Sequence, residues 1–268
     1  MQKILFLIVA ILCIGKVHSQ KVGIGTSTPD SLLTVNGSAH ILGTTKTTNF
    51  QLNNGAGNGK ILQSDASGNA SWVTSVTGSN MPSIQICGQV WTTINLEVTT
   101  YRDGTPIPKV TDGTAWSSLT TGAYCYYNND SATYAAIYGK LYNWYAVTDP
   151  RGLAPLGWHI PTDAEWTILT TCLGGEPVAA GRMKVPGTAI WTTPNTAASN
   201  SSGFASLPGG YRNEFGNFYF IGSYSCWWSS TELNTTYAWF RYLDTNLANA
   251  IRFNSFKLIG FSARCIRD

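Results

Sequence analysis

GWHIPTDAEWTILTTCLGG, residues 157–175, carries a full set of helix start and stop signals. Thr162 is placed to cap a helix, and Glu165 three residues on completes a capping box that satisfies two otherwise orphaned amides. Pro161 stands just before and Gly174-Gly175 just after, so a helix is expected over Asp163 to Leu173. Trp166, Leu169 and Leu173 recur at helical spacing on one face, with Cys172 adjoining that stripe. Working outward, GFSARCIRD at 260–268 alternates Phe261, Ala263 and Cys265 with Ser262 and Arg264, a strand whose Cys265 faces inward. WWSST at 227–231 reads as another strand, where Trp227 and Trp228 should divide between core and surface. AWFRYL at 238–243 gives Trp239 to the core and Tyr242 to the surface on the same logic. Upstream, Tyr138, Leu141, Tyr142 and Tyr145 predict a second helix near Ala135 to Val147. Many short strands between Gly and Asn turns, with one or two helices, make the fold class α+β.

The two ends of the chain differ in composition. Residues 1–19 read as an export signal: Lys3 is the positive start, Ile4 to Ile14 the apolar run, and Val17-His18-Ser19 the cleavage site. The run is shorter than the ~20 apolar residues a membrane span needs; an uncleaved anchor is the rival reading. No second apolar stretch follows, so no membrane insertion is expected after cleavage, and no sorting domain is expected beyond the strand that carries Cys265. Residues 20–80 are rich in Gly, Thr, Ser and Asn, with short strand-like runs at Leu32 to Val35 and His40 to Leu42. So little apolar mass cannot build a core in a monomer. The segment is therefore either a flexible linker or a stalk whose strands are buried by association. From Ile84 apolar and aromatic residues become dense, and residues 84–268 make one domain.

Charge excludes one partner class. Loss of Lys3 and Lys16 takes the formal +3 to +1, and residues 84–268 hold twelve basic and twelve acidic residues. A neutral domain has no long-range field for a polyanion, so nucleic acid is not expected.

Five cysteines remain after the signal: Cys87, Cys125, Cys172, Cys226 and Cys265. Their spacing lacks the close pairs of a zinc ribbon. An exported protein permits disulfides. A Cys172–Cys265 bridge would tie the main helix to the last strand, worth roughly 4–5 kcal/mol by loop closure. Cys87 with Cys125 is then the second pair and Cys226 is free; five reduced thiols are the alternative.

These motifs in this order, GWHIPTDAEW, LGG at 173–175, SGFASLPGGYR at 202–212, WWSST and GFSARCIRD, together with QVWTTINLEVTTYRDGTPIP at 89–108, resemble the Fibrobacter succinogenes major paralogous domain of exported proteins in Bacteroidetes and related bacteria. The resemblance covers about 84–268 and implies a C-type-lectin-like fold, in the branch shared with the formylglycine-generating enzyme. A helix-to-last-strand disulfide recurs in that fold. Many relatives have Cys where Ala154 stands, which leaves the partner of Cys125 open. VGIGTSTP at 22–29 and GKILQSDASGNASW at 59–72 resemble stalk repeats of bacterial surface proteins and phage-type fibres, which implies a homotrimer through the stalk.

Catalytic material is thin. His159 is the one histidine of the domain, and its Trp158 and Ile160 neighbours favour a structural role. Asp163 and Glu165 are explained by the helix cap, and Asp244 with Glu232 has no spacing that demands an acid–base pair. A copper-thiolate oxidase would need two neighbouring cysteines. Asn195, Asn200 and Asn213 offer oxygens for calcium, but clustered carboxylates are missing. No catalytic residue, metal or cofactor is therefore expected, and the chain is read as a binding protein and not an enzyme. The band 217–256 mixes aromatic anchors with short polar side chains, the composition of adaptable binding faces. Tyr219, Tyr224, Trp228, Tyr237, Tyr242, Asp244, Asn246 and Asn254 are the expected ligand contacts, and a glycan or a surface protein is the expected partner. Ordinary loop polarity is the plain alternative for these residues, and diversification of the C-terminal part is a further option that the lectin-fold resemblance implies. A structural coat or adhesive component, and an enzyme of the formylglycine-generating type, are the alternatives for the whole protein.

Overall fold

The computed structural model describes residues 81–268 and four strands before them: β1 (Val22–Ile24), β2 (Leu33–Val35), β3 (Lys60–Ser64) and β4 (Ala70–Thr74). β1 and β2 pair in parallel, while β3 and β4 form an antiparallel hairpin in continuous register. The run at His40 to Leu42, the export segment and the rest of the stalk lie outside the described residues.

The domain proper is α+β. In chain order it holds β5 (Ser83–Ile86), β6 (Gln89–Thr92), α1 (Gly113–Ser117), β7 (Tyr124–Cys125), α2 (Ser131–Tyr138), β8 (Leu141–Tyr142), α3 (Trp144–Val147) and β9 (Trp158–His159). Then follow α4 (Asp163–Cys172), α5 (Glu176–Met183), β10 (Gly209–Arg212), β11 (Phe218–Ile221), β12 (Tyr224–Glu232), β13 (Tyr237–Asp244), β14 (Ala250–Phe256) and β15 (Ile266–Arg267). Two sheets matter most: antiparallel β12-β13-β14, and β5-β6-β15-β9, in which the C-terminal strand is inserted between β6 and β9.

α4 forms where the sequence places it. The Thr162 hydroxyl accepts from the Glu165 amide, and the Glu165 carboxylate accepts from the Thr162 amide at 2.7 Å. Trp166, Leu169 and Leu173 are buried. The second helix does not run from 135 to 147. α2 ends at Gly139, whose φ of +70° stops it, and Asn143 opens α3 by accepting from the Ala146 amide. Between them Leu141 and Tyr142 form a strand, because they pair with β7, Tyr142 opposite Tyr124 and Leu141 opposite Cys125, and Tyr142 also bridges to Phe261. Tertiary pairing overrides helical spacing here.

The sheet β12-β13-β14 is covered on both faces. One face carries Trp227 and Leu243 and packs with Trp166, Leu169, Trp91 and Phe204. The other carries Cys226, Trp228, Ala238 and Phe240 and packs with Tyr142, Trp158, Phe261 and Cys265. Hence Trp227 and Trp228 are both buried, which corrects the expected split between core and surface; alternation sorts core from solvent only where one face is wet. Trp239 is half-buried, not core, with the Arg252 guanidinium 3.4 Å from its ring centre. Its strand neighbour Phe240 is the buried one.

The disulfide differs from both expected pairs. Cys87 bonds Cys172, while Cys125, Cys226 and Cys265 are free and buried. Cys265 faces inward as expected, into the core with Phe261, whereas Cys172 is exposed at the end of α4, off the buried stripe. Cys87 sits with Gly88 in the two-residue turn joining β5 to β6, with φ +53° and +87°. Such turns favour Asn-Gly because both residues need positive φ. A cysteine there is explained by its bond to Cys172.

Buried Arg264 fastens the last strand. Its guanidinium donates to the carbonyls of Thr92, Phe204 and Ala205, and its Nε donates to the Asn95 side chain. Burial lowers its pKa to about 9. Asn95 also accepts from Trp227 Nε1, so one asparagine joins the end of the chain to the central sheet.

Candidate functional site

On the Trp228 face of the three-stranded sheet, a groove of about 230 Å³ opens between β12, β13, β14, β10 and the 259–261 segment. Tyr211, Tyr224, Cys226, Phe240, Tyr242, Phe253, Asn254, Ser255, Ile259 and Phe261 line it. The register explains the composition. Cys226 lies opposite Tyr242, Tyr242 opposite Ile251, and Phe240 opposite Phe253, so cross-strand neighbours project the same way.

The rings form a ladder across the strands. Phe220 stacks on Tyr224 at 4.4 Å, Tyr224 on Tyr242 at 5.6 Å, Tyr242 on Phe240 at 5.8 Å, and Phe240 on Phe261 at 4.4 Å. Each ring is fixed by the next, so the lining is held before any ligand arrives. Burial first, and the Asp244 charge second, push the Tyr224 and Tyr242 hydroxyls up. Burial raises Tyr211 to about 12. All three stay protonated at neutral pH and can donate hydrogen bonds. Burial also pushes the Cys226 thiol up, which leaves the groove floor uncharged.

The eight expected contacts scatter around this groove. Tyr224, Tyr242 and Asn254 line it. Tyr219 is exposed beside it, its ring 5.9 Å from Tyr211. Tyr237 lies at the far end of β13 against Phe256. Asp244 is buried and accepts from the Asn246 main chain and side chain, so both shape the turn after β13. Trp228 is the clear correction: it is fully buried under the groove, donating to the Tyr142 carbonyl at 2.8 Å and packed on Phe261. Tyr211, Phe240, Phe253 and Phe261 were missed. The period-two pattern linking Phe240 to Tyr242 held the signal for Phe240.

Other candidate chemistry resolves into structure. His159 places its two ring nitrogens 2.7 Å from Asp268 and 2.8 Å from Glu165. Burial opposes charge on that ring, but hydrogen bonds to the two carboxylates outweigh it and raise its pKa. Asp244 and Glu232 lie at opposite ends of the β12–β13 pair, and Glu232 is bound to Lys257. Asn200 and Asn213 accept from nearby amides, and Asn195 donates to the Val185 and Gly187 carbonyls. Among the described residues no cluster of three or more His, Cys, Asp and Glu side chains is gathered for a metal. None of their helices is long and apolar enough to cross a membrane.

Residues 84–267, from the first strand of the domain to the last, match the Fibrobacter succinogenes major domain family. The chain belongs to that family. No curated protein and no solved structure matches it. Within this Fibrobacter succinogenes major domain, the quoted motifs are framework. GWHIPTDAEW supplies β9 and the capped α4, WWSST the doubly buried strand, and GFSARCIRD the β15 insertion with its Arg264 clamp. The groove takes Tyr211 from SGFASLPGGYR and Phe261 from GFSARCIRD, and the rest of its lining from residues outside the quoted motifs.

Proposed function

We propose that this is an exported protein, displayed on a bacterial surface, that recognises a glycan or a protein through the groove on its C-terminal sheet. The observation that carries the reading is the pre-formed aromatic ladder beside exposed Tyr219, Phe220 and Phe253. Rings held in place offer contact area at low entropy cost, and protonated tyrosine hydroxyls add direction. The domain is read as C-type-lectin-like, its N-terminal segment as a cleaved signal followed by a trimerising stalk. Recognition is favoured over catalysis because the thiols that chemistry would need, Cys226 and Cys265, are buried and held protonated.

A glycan and surface-protein array tests this, with the full chain beside its Tyr219/Tyr224/Tyr242→Ala variant. The expected result is a ligand bound by the parent and weakened at least ten-fold in the variant, with unchanged circular dichroism. Binding by neither protein sinks the reading in favour of a coat component whose fold only packs against neighbours.

A further inference from the structure

β14 is the outer strand of its sheet, and it is an open edge. Its seven residues pair with β13 in unbroken register from Ala250 to Phe256. Among the described residues nothing else hydrogen-bonds to the main chain of 251–255. Every second residue of an edge strand turns its N–H and C=O outward, a template for another strand. Proteins usually guard such edges with charge, proline or a bulge. β14 has no proline, and the register shift of this sheet lies in the inner pair, near Trp228 and Glu232. Its one charge, Arg252, is turned onto Trp239 and bonded to Asp163. Beside the Arg252 side chain, itself 37 % exposed, the edge offers two apolar ones to solvent: Phe253 is 57 % exposed and Phe256 38 %.

The groove adjoins this edge, since Phe253, Asn254 and Ser255 form its outer wall. Ile251, Phe253 and Ser255 share the groove face, set by their partners Tyr242, Phe240 and Ala238. A strand added to β14 would direct alternate side chains the same way, over Phe253 and into the groove. At about 230 Å³ the groove is smaller than the roughly 300–1,000 Å³ of usual small-molecule sites, a size suited to one bulky side chain. Arg252 and Arg241 share the single carboxylate of Asp163, so this edge keeps a net positive charge and charge complementarity asks for a partner without basic side chains.

We infer that β14 is a strand-addition site for an extended polypeptide without basic residues and with apolar residues at alternate positions. This deepens the recognition reading by naming the class of partner, and it rests on that reading for the groove. The edge supplies main-chain hydrogen bonds and the groove supplies side-chain selection.

The test uses the full chain and labelled eight-residue peptides with phenylalanine or valine alternating with threonine, read by fluorescence anisotropy. One set carries N-methyl groups on the amides of one alternating edge, and a second set carries them on the other edge. The expected result is saturable binding that one methylated set loses at least ten-fold and the other keeps. Phe253→Lys, at an exposed position, weakens binding at least ten-fold with folding unchanged, and Ser255→Lys does the same from the groove wall. No binding by any peptide overturns the inference, as does binding blind to methylation on both edges. A dimer seen in sedimentation and broken by Phe253→Lys also overturns it, by giving the edge to a second copy. A glycan bound through the tyrosines but indifferent to Phe253→Lys sinks strand addition and leaves the recognition reading standing.

Discussion

Asp163 shows how much one side chain can hold. It begins α4, where a negative charge complements the helix dipole. It also receives Arg241 at 2.6 Å and Arg252 at 2.8 Å from the neighbouring sheet. The Arg241 side chain is 1 % exposed, and its Nε has no hydrogen-bond partner among the described residues. Burial works against the Asp163 charge, but the Arg252 and Arg241 guanidiniums outweigh it and hold the carboxyl below its usual range. Asp163→Asn strands a buried cation, and at pH 7 it should cost about 3–5 kcal/mol of unfolding free energy. A depressed folded pKa means this stabilisation is present above the ordinary carboxylate range and lost as pH falls through the folded value. Urea unfolding of both proteins should therefore diverge at neutral pH and converge in acid; a constant gap would rule the ion pair out. His159 has the opposite sign. Its folded pKa is raised, so its contribution is fully present below about 6.5 and lost as pH rises through the folded value. In a pH series of melting temperatures, His159→Gln should remove that decline on the alkaline side, and an unchanged slope would assign the decline elsewhere.

At the scale of elements, legibility followed the range of the interactions. α4 could be read because its cap, stops and apolar stripe lie within about twenty residues of sequence. The strand at Leu141–Tyr142 could not, because it exists through pairing with Tyr124–Cys125 and a bridge to Phe261, neither of which helical spacing within the segment registers. The cysteine bridge failed for a similar reason. Alternation along the last strand placed Cys265 inside correctly, but nothing local says that the β5–β6 turn approaches the end of α4. The Cys87 turn holds that answer only in retrospect, as a cysteine where positive φ would favour Asn. The bond spans 85 residues, and loop closure assigns it about 4.5 kcal/mol. Cys87→Ala/Cys172→Ala should lose much of that in denaturant unfolding. The parent in dithiothreitol should lose a similar amount, since the bridge lies at the surface. A parent indifferent to reduction would mean that the two thiols are not joined in solution.

For the whole molecule, the decisive fact is that one sheet serves two cores. Trp227 enters the core of α4, Trp91 and Phe204, and Trp228 enters the core of Tyr142 and Phe261, from adjacent positions on β12. Sequence alternation separated the two side chains correctly, yet it had no means to say that both sides are dry. The groove was half legible for the same reason. Tyr224 and Tyr242 stood out as aromatics in a polar band, while Phe261, which alternation along the last strand turned inward, is core that borders the groove, as is Phe240. A shared sheet also couples the cores, because neither can open without exposing β13, the strand hydrogen-bonded on both sides. Trp227→Ala and Trp228→Ala should each cost about 3–5 kcal/mol. Hydrogen exchange at the β13 amides should report it, since amides that open only by global unfolding accelerate in step with lost stability. The expected result is acceleration at Phe240, Arg241 and Tyr242 by roughly two to four orders of magnitude in both variants. Were Trp228→Ala to speed exchange around Phe261 while β13 stayed protected, the two cores would be separate folding units, and the groove could open without unfolding the domain.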